Sequence, residues 1–329
     1  MNKSVLITSS FLLLASAFVG CATDKSCCCC DTGKSCCCTA AKSGYVAPDR
    51  IGVCSWSYGA SVQDVAAKME KDGIKGIHLA LGPFIHADGR HGDAEGEEGW
   101  KFVKEQVASG KWNVMCTMFG TIGEDYSTLE TIKKTGGIVP DATWEENQKI
   151  ITRAAQLTQE LGCKYTSGHA GFLDESDPVA LAKFVERVSW MADECAKYGV
   201  SLILESGQET AEDLAKFMVA CNSRKDRKGD IGINFDPANM ILYAKGRPCD
   251  AVKTLFPWIH QIHAKDALYT KVPGTWGQEV RWGDGQVQAR ELMIKLDQLG
   301  YTGNVVIERE GGAACSGDVK IAFDRLQCK

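Results

Sequence analysis

Four apolar runs in the C-terminal part of the chain each end in a side chain that can ligate a metal or move a proton. They are Glu205 after Leu202-Ile203-Leu204, Asp236 after Ile233-Asn234-Phe235, His263 after Gln261-Ile262, and Glu308 after Val305-Val306-Ile307. Three carboxylates and an imidazole brought to one place repel one another unless a cation sits among them, and an oxygen-rich set with one nitrogen suits Mn²⁺, Mg²⁺, Co²⁺ or Zn²⁺. Each residue alone has an ordinary reading: Asp236 before Pro237 as a helix cap, His263 as a core histidine, Glu205 or Glu308 as a partner of Lys265 or Arg309. On four consecutive strands at one depth they predict a metal site.

Such a site needs elements that aim it. From Arg50 onward, short β-rich runs alternate with longer amphipathic segments, giving expected strands over 51–56, 76–81, 112–118, 164–167, 201–205, 232–236, 259–265 and 304–308. Helices are expected between and after them, over 61–71, 97–108, 144–161, 178–198, 211–221, 251–256, 287–299 and 319–326. Gly73, Gly162, Gly199 and Gly300 stand just after helical patterns, where left-handed caps are needed. Eight βα units in about 280 residues have the size of a (β/α)8 TIM barrel of the α/β class. A doubly wound open sheet fits less well, because no GxGxxG follows the first strand. In a barrel, catalytic groups sit at the carboxyl ends of strands, and alternation supplies a check. If Ile231, Ile233 and Phe235 face the helices, then Asn234 and Asp236 face the axis, and the same rule turns His263, Lys265, Glu205 and Glu308 inward.

The stretches Leu204-Glu205-Ser206, Asn234-Phe235-Asp236-Pro237-Ala238-Asn239-Met240, Ile262-His263-Ala264-Lys265-Asp266 and Val306-Ile307-Glu308, with the Gly283-Asp284-Gly285 loop, resemble the sugar phosphate isomerase/epimerase family, the xylose-isomerase-like barrels. The resemblance runs from about Arg50 to the end. It implies that Glu205, Asp236, His263 and Glu308 bind one divalent ion and that Glu205 and Glu308 exchange a proton with a sugar carbon. A chelated carbonyl and hydroxyl acidify the intervening C–H, giving an enediolate from which isomerisation, epimerisation or elimination can follow. Asn239 stands where ketose 3-epimerases of the family carry His, and Tyr269 where they carry a substrate-gripping Arg, so sugar recognition differs here. His169, Lys265, Asn239, Trp56 and Trp282 are the candidates for holding sugar hydroxyls or a sugar face. His78 reads as a core residue, and His86 and His91 as solvated loop residues.

The expected activity is therefore a metal-dependent isomerase or epimerase acting on an unphosphorylated sugar or keto sugar. The alternatives are a lyase or hydratase acting on 3-keto-glycosides and a non-catalytic sugar-binding lipoprotein. The family also resembles endonuclease IV, but six scattered His and a net charge of −5, from 37 Lys+Arg against 42 Asp+Glu, argue against a nucleic-acid partner.

Residues 1–20 read as an export signal, with Lys3 ahead of an apolar stretch over 5–19 that is too short to span a bilayer. Phe18-Val19-Gly20-Cys21 resembles a bacterial lipoprotein signal, with Cys21 the lipidated residue and the membrane contacted only through that anchor. Eight of the 16 cysteines lie in the first 38 residues, so the count describes a tail and not a disulfide framework. Residues 21–48 read as a Cys-rich flexible tether and 49–329 as the barrel, displayed in the periplasm or at the cell surface.

Overall fold

The computed structural model describes residues 43–86, 94–311 and 315–327. The chain runs β1 (Ile51–Cys54), α1 (Val62–Asp72), β2 (Gly76–Ala80), α2 (Gly82–Ile85), α3 (Gly96–Ala108), β3 (Asn113–Met118), α4 (Leu129–Thr135), α5 (Asp141–Glu160), β4 (Tyr165–Gly168) and α6 (Pro178–Ala196). It continues through β5 (Ser201–Glu205), α7 (Ala211–Asn222), β6 (Ile231–Phe235), α8 (Pro237–Leu242), α9 (Pro248–Leu255) and β7 (Ile259–Ala264). A hairpin of β8 (Asp266–Leu268) and β9 (Gln278–Val280) follows, then α10 (Ala289–Leu299), β10 (Asn304–Ile307) and α11 (Ser316–Leu326). Strands β1 to β7 pair in parallel in chain order, and β10 closes the ring between β7 and β1. This is the (β/α)8 barrel that the strand count predicts.

The helices start and stop where local chemistry dictates. Ser61, Asp177 and Thr210 cap α1, α6 and α7 by accepting backbone N–H bonds, which satisfies donors a helix start leaves orphaned. The four glycines expected as left-handed caps all have φ between 65° and 87°. Ile231, Ile233, Phe235, Leu202, Leu204, Val305 and Ile307 join the layer between strands and helices. Inside the barrel, Val306 packs on Cys54 and Met115, with Trp56 above them. The pleat thus turns each strand as alternation requires.

Four features were not expected. Helices α2 and α8 are too short to carry a helical period, and α4 lies in the long β3–α5 connection, announced only by its Thr128/Thr131 capping box. The fourth is the β8–β9 hairpin. The barrel also begins before residue 49: Val46 is buried, and its N–H bonds Leu326 O at 2.9 Å. The last residues assigned to the tether therefore lie against α11. The export signal, Cys21 and the Cys clusters lie outside the described residues, as does His91.

Candidate metal centre

Glu205, Asp236, His263 and Glu308 meet at the carboxyl end of the barrel. One potential ligand atom from each lies within 4.8 Å of the others, and all four residues are buried. Each anchors one polar atom and leaves the other bare. Glu205 Oε1 accepts from Asn239 Nδ2 at 3.0 Å, Asp236 Oδ1 accepts from the Asn239 backbone N–H at 2.9 Å as the cap of α8, and Glu308 Oε1 accepts from the Trp56 indole at 2.9 Å. His263 Nε2 faces Asn234 Nδ2 at 2.9 Å. Glu205 Oε2, Asp236 Oδ2, Glu308 Oε2 and His263 Nδ1 have no hydrogen-bond partner.

Buried polar atoms left without a hydrogen bond cost roughly 1–3 kcal/mol each, and here only ion-pair contacts with one another and with Lys265 offset that, so their convergence fits a ligand. His263 Nδ1 is 2.8 Å from Glu308 Oε2 and 3.7 Å from both Glu205 Oε1 and Asp236 Oδ2, spacings that suit donors sharing one ion. Charge makes the same case. Lys265, fully buried, is 3.5 Å from Asp236 Oδ2 and 3.4 Å from Glu308 Oε2. Three carboxylates share one ammonium that also pairs with Glu310, a negative excess that a divalent cation would offset. The residues present fit such an ion. Burial pushes Glu205 up, whereas at Glu308 burial is outweighed by Lys265 and His263, which hold its carboxyl well below the usual range. Burial opposes the charged forms of His263 and Lys265, yet surrounding acidic groups raise both.

With the barrel and this constellation in view, comparison with known proteins is decisive at the level of family. The model of the Xylose isomerase-like TIM barrel family matches residues 54–322. The chain belongs to that family. A solved xylose isomerase domain protein from Planctomyces limnophilus is 27% identical, with a TM-score of 0.71, covering 86% of this chain and 95% of its own. The probable 3-DHS dehydratase AsbF of Bacillus anthracis is 15% identical with a TM-score of 0.62 over 84% of this chain and 98% of its own. A Xylose isomerase-like TIM barrel protein from Mycobacterium smegmatis, solved in complex with magnesium, is 18% identical with a TM-score of 0.59 over 84% and 96%. At these identities the last two share the fold. The uncharacterized Escherichia coli protein YihM is 37% identical over 93 residues, and the match spans only 28% of each chain.

In this Xylose isomerase-like barrel the other candidate residues divide. Trp56, His169, Glu308, Glu310 and Glu124 line a cavity of about 270 Å³ with Met118, Phe119 and Thr121. His169 Nε2 is 3.6 Å from Glu205 Oε1, and its Nδ1 faces Gln208 Nε2 at 3.2 Å. Lys265 pairs with Glu310 and donates to Asn239 Oδ1 at 3.2 Å. Asn239, expected to grip sugar, instead spends its carboxamide on Glu205, Ser206 O and Lys265. Trp282 is not with this group: it is buried in the core and lines a separate cavity with Gly283, Gly285 and Arg325. A residue after a strand reaches the mouth only if its loop turns over the axis, and that loop is drawn outward by Asp266. His86 is also buried, not solvated. Sequence reasoning missed Glu310, Glu124 and Gln208. Of these, Glu310 lay within reach of the period-two rule, two residues beyond Glu308.

Proposed function

We propose that the protein is a divalent-metal-dependent isomerase or epimerase of an unphosphorylated keto sugar, working by proton transfer next to the carbonyl. The four converging, unpartnered ligand atoms carry this reading. An ion held by Glu205, Asp236, His263 and Glu308 supplies Lewis-acid polarisation of a carbonyl and its neighbouring hydroxyl. The chain's own residues do the rest. Glu205 and Glu308 come from β-strands separated by β6 and β7 around the ring, so one carboxylate can take a proton and the other return it. Trp56 orients Glu308, and Asn239 orients Glu205. Lys265 puts a positive charge beside the carboxylates, where negative charge on a substrate oxygen develops. Trp56, Met118 and Phe119 offer apolar surface and Thr121, His169 and Glu124 polar groups to a ligand of monosaccharide size.

The test is solvent deuterium exchange by NMR on the Mn²⁺-, Mg²⁺-, Co²⁺- or Zn²⁺-loaded barrel, screened against keto sugars and 3-keto-glycosides. Metal-dependent exchange at a carbon beside the carbonyl is expected, reduced about 10²–10⁴-fold in Glu205→Gln and Glu308→Gln. Binding without exchange makes the protein a sugar-binding module, and loss of a β-substituent makes it a lyase. We also infer export and lipidation at Cys21 from the composition of residues 1–21. Wild-type protein expressed in a bacterium should then fractionate with membranes and Cys21→Ser should not; identical fractionation rejects the anchor.

A further inference from the structure

Beneath the candidate ion site the barrel axis is filled with polar groups. His78 on β2 is fully buried, with its Nδ1 3.1 Å from His263 Nε2 and its Nε2 2.8 Å from Ser167 Oγ. Ser167 donates in turn to Thr117 O at 3.2 Å. A carbonyl can only accept, so when Ser167 gives its single hydroxyl hydrogen to Thr117 O, Ser167 Oγ accepts from His78. In that arrangement His78 Nε2 carries the ring hydrogen, and Nδ1 of the neutral ring is an acceptor. Gln261 Nε2, 3.2 Å from the same Nδ1, also donates to Asn234 Oδ1 at 3.2 Å; with one amide hydrogen on Asn234 Oδ1 it leaves the Nδ1 lone pair to His263.

We propose that His78, fixed by Ser167, is a positioning residue that selects the metal-binding tautomer of His263. The inference rests on the ion site proposed above. Nδ1 of His263 faces the three carboxylates and can ligate an ion only when the ring hydrogen resides on Nε2. His78 Nδ1 is the acceptor aimed at that hydrogen. Asn234 is the competitor: its Nδ2, 2.9 Å from the same Nε2, favours the opposite tautomer, with hydrogen on Nδ1 and no lone pair for an ion. The chain Thr117–Ser167–His78–His263 thus runs from a backbone carbonyl of β3 to the ion-facing nitrogen, using one hydrogen per link. Cys54 Sγ, 3.8 Å from His263 Nε2 and 4.0 Å from His78 Nδ1, completes a buried Cys–His–His cluster that could itself hold an ion, which would make His263 Nε2 a ligand instead of a donor.

The test combines calorimetric Mn²⁺ and Zn²⁺ titration with ¹⁵N NMR of the imidazoles. Expected are one ion per chain, a hydrogen on Nε2 and an ion-bound Nδ1 on His263 in the ion-loaded wild type, and affinity about 10–100-fold weaker in His78→Phe. His78→Gln, whose carbonyl can accept, should recover part of the loss. Ser167→Ala keeps the imidazole but frees its tautomer and should weaken binding less, with His263 showing mixed tautomers, which serves if His78→Phe fails to fold. Binding in His78→Phe as tight as in the folded wild type overturns this inference alone. A second ion lost with Cys54→Ser also overturns it. A wild type that binds neither ion overturns the site and this inference together.

Discussion

Asp236 performs two tasks with two oxygens. Oδ1 accepts from the Asn239 N–H and starts α8, while Oδ2 is bare among the other ligand atoms. The cap role and the proposed ligand role of this residue are therefore compatible, one per atom. Asparagine caps helices as well as aspartate does, but offers an amide nitrogen where the free oxygen stood. Asp236→Asn should consequently keep the ion-free melting temperature at or above that of the wild type while losing the response to added Mn²⁺ or Zn²⁺. Asp236→Ala should lose the response and about 1 kcal/mol of stability with the cap. Differential scanning calorimetry with and without ion checks both, and an Asn variant that still responds to ion would remove Asp236 from the ligand set.

The same division of labour explains what was legible at the level of strands and loops. Alternation told which side chains point inward, so Glu205, Asp236, His263, Glu308 and Lys265 could be placed together before any coordinates. It also gave Asn234 an inward direction without saying that it would meet His263. Which inward atom touches which depends on stagger between strands, and the pairing here includes irregularities at Ile233/Asn234 and Ile77/His78 that no periodicity announces. Loops were less legible because their anchors are distant in sequence. Asp266, beside the motif histidine, accepts backbone N–H bonds from Ala267, Gly283, Gly285 and Val287 at 2.9–3.0 Å. It thereby pins the glycine-acid-glycine loop and carries Trp282 away from the mouth. A Cβ at Gly285 would stand 2.2 Å from Asp266 Oδ1 and 2.6 Å from Ala267 O, so the glycine is there for close approach. Gly285→Ala and Asp266→Ala should each destabilise the barrel by a few kcal/mol, the first by clash and the second by leaving buried amides unpaired. Urea unfolding measures the loss, and a change under about 0.5 kcal/mol in both would show that the loop tolerates release.

At the scale of the whole molecule, the proposed ion site would act on stability as well as on reactivity. The closed barrel brings three carboxylates into its interior beside Lys265 and His263, which favour the charged form of Glu308, whereas burial disfavours that of Glu205; a cation would offset the charge that burial opposes. An ion that binds the folded chain and not the unfolded one stabilises it by RT ln(1 + [L]/Kd), about 2.7 kcal/mol at a hundredfold excess over Kd. For a domain this large that corresponds to roughly 5–10 °C in melting temperature. Protons compete for the same oxygens and for His263 Nδ1, so the rise should shrink as pH is lowered through the range where the ligands protonate. Replacing Glu205 by Gln removes the carboxyl whose pKa burial raises and leaves the Glu308 charge paired with Lys265 and His263. Glu205→Gln should melt at or above the ion-free wild type, respond more weakly to each of the four ions, and lose most substrate exchange. A thermal scan decides the matter: a wild type indifferent to every ion, combined with a Glu205→Gln variant that melts lower, would mean that Lys265 and the surrounding dipoles already satisfy the carboxylates and that no cation belongs among them.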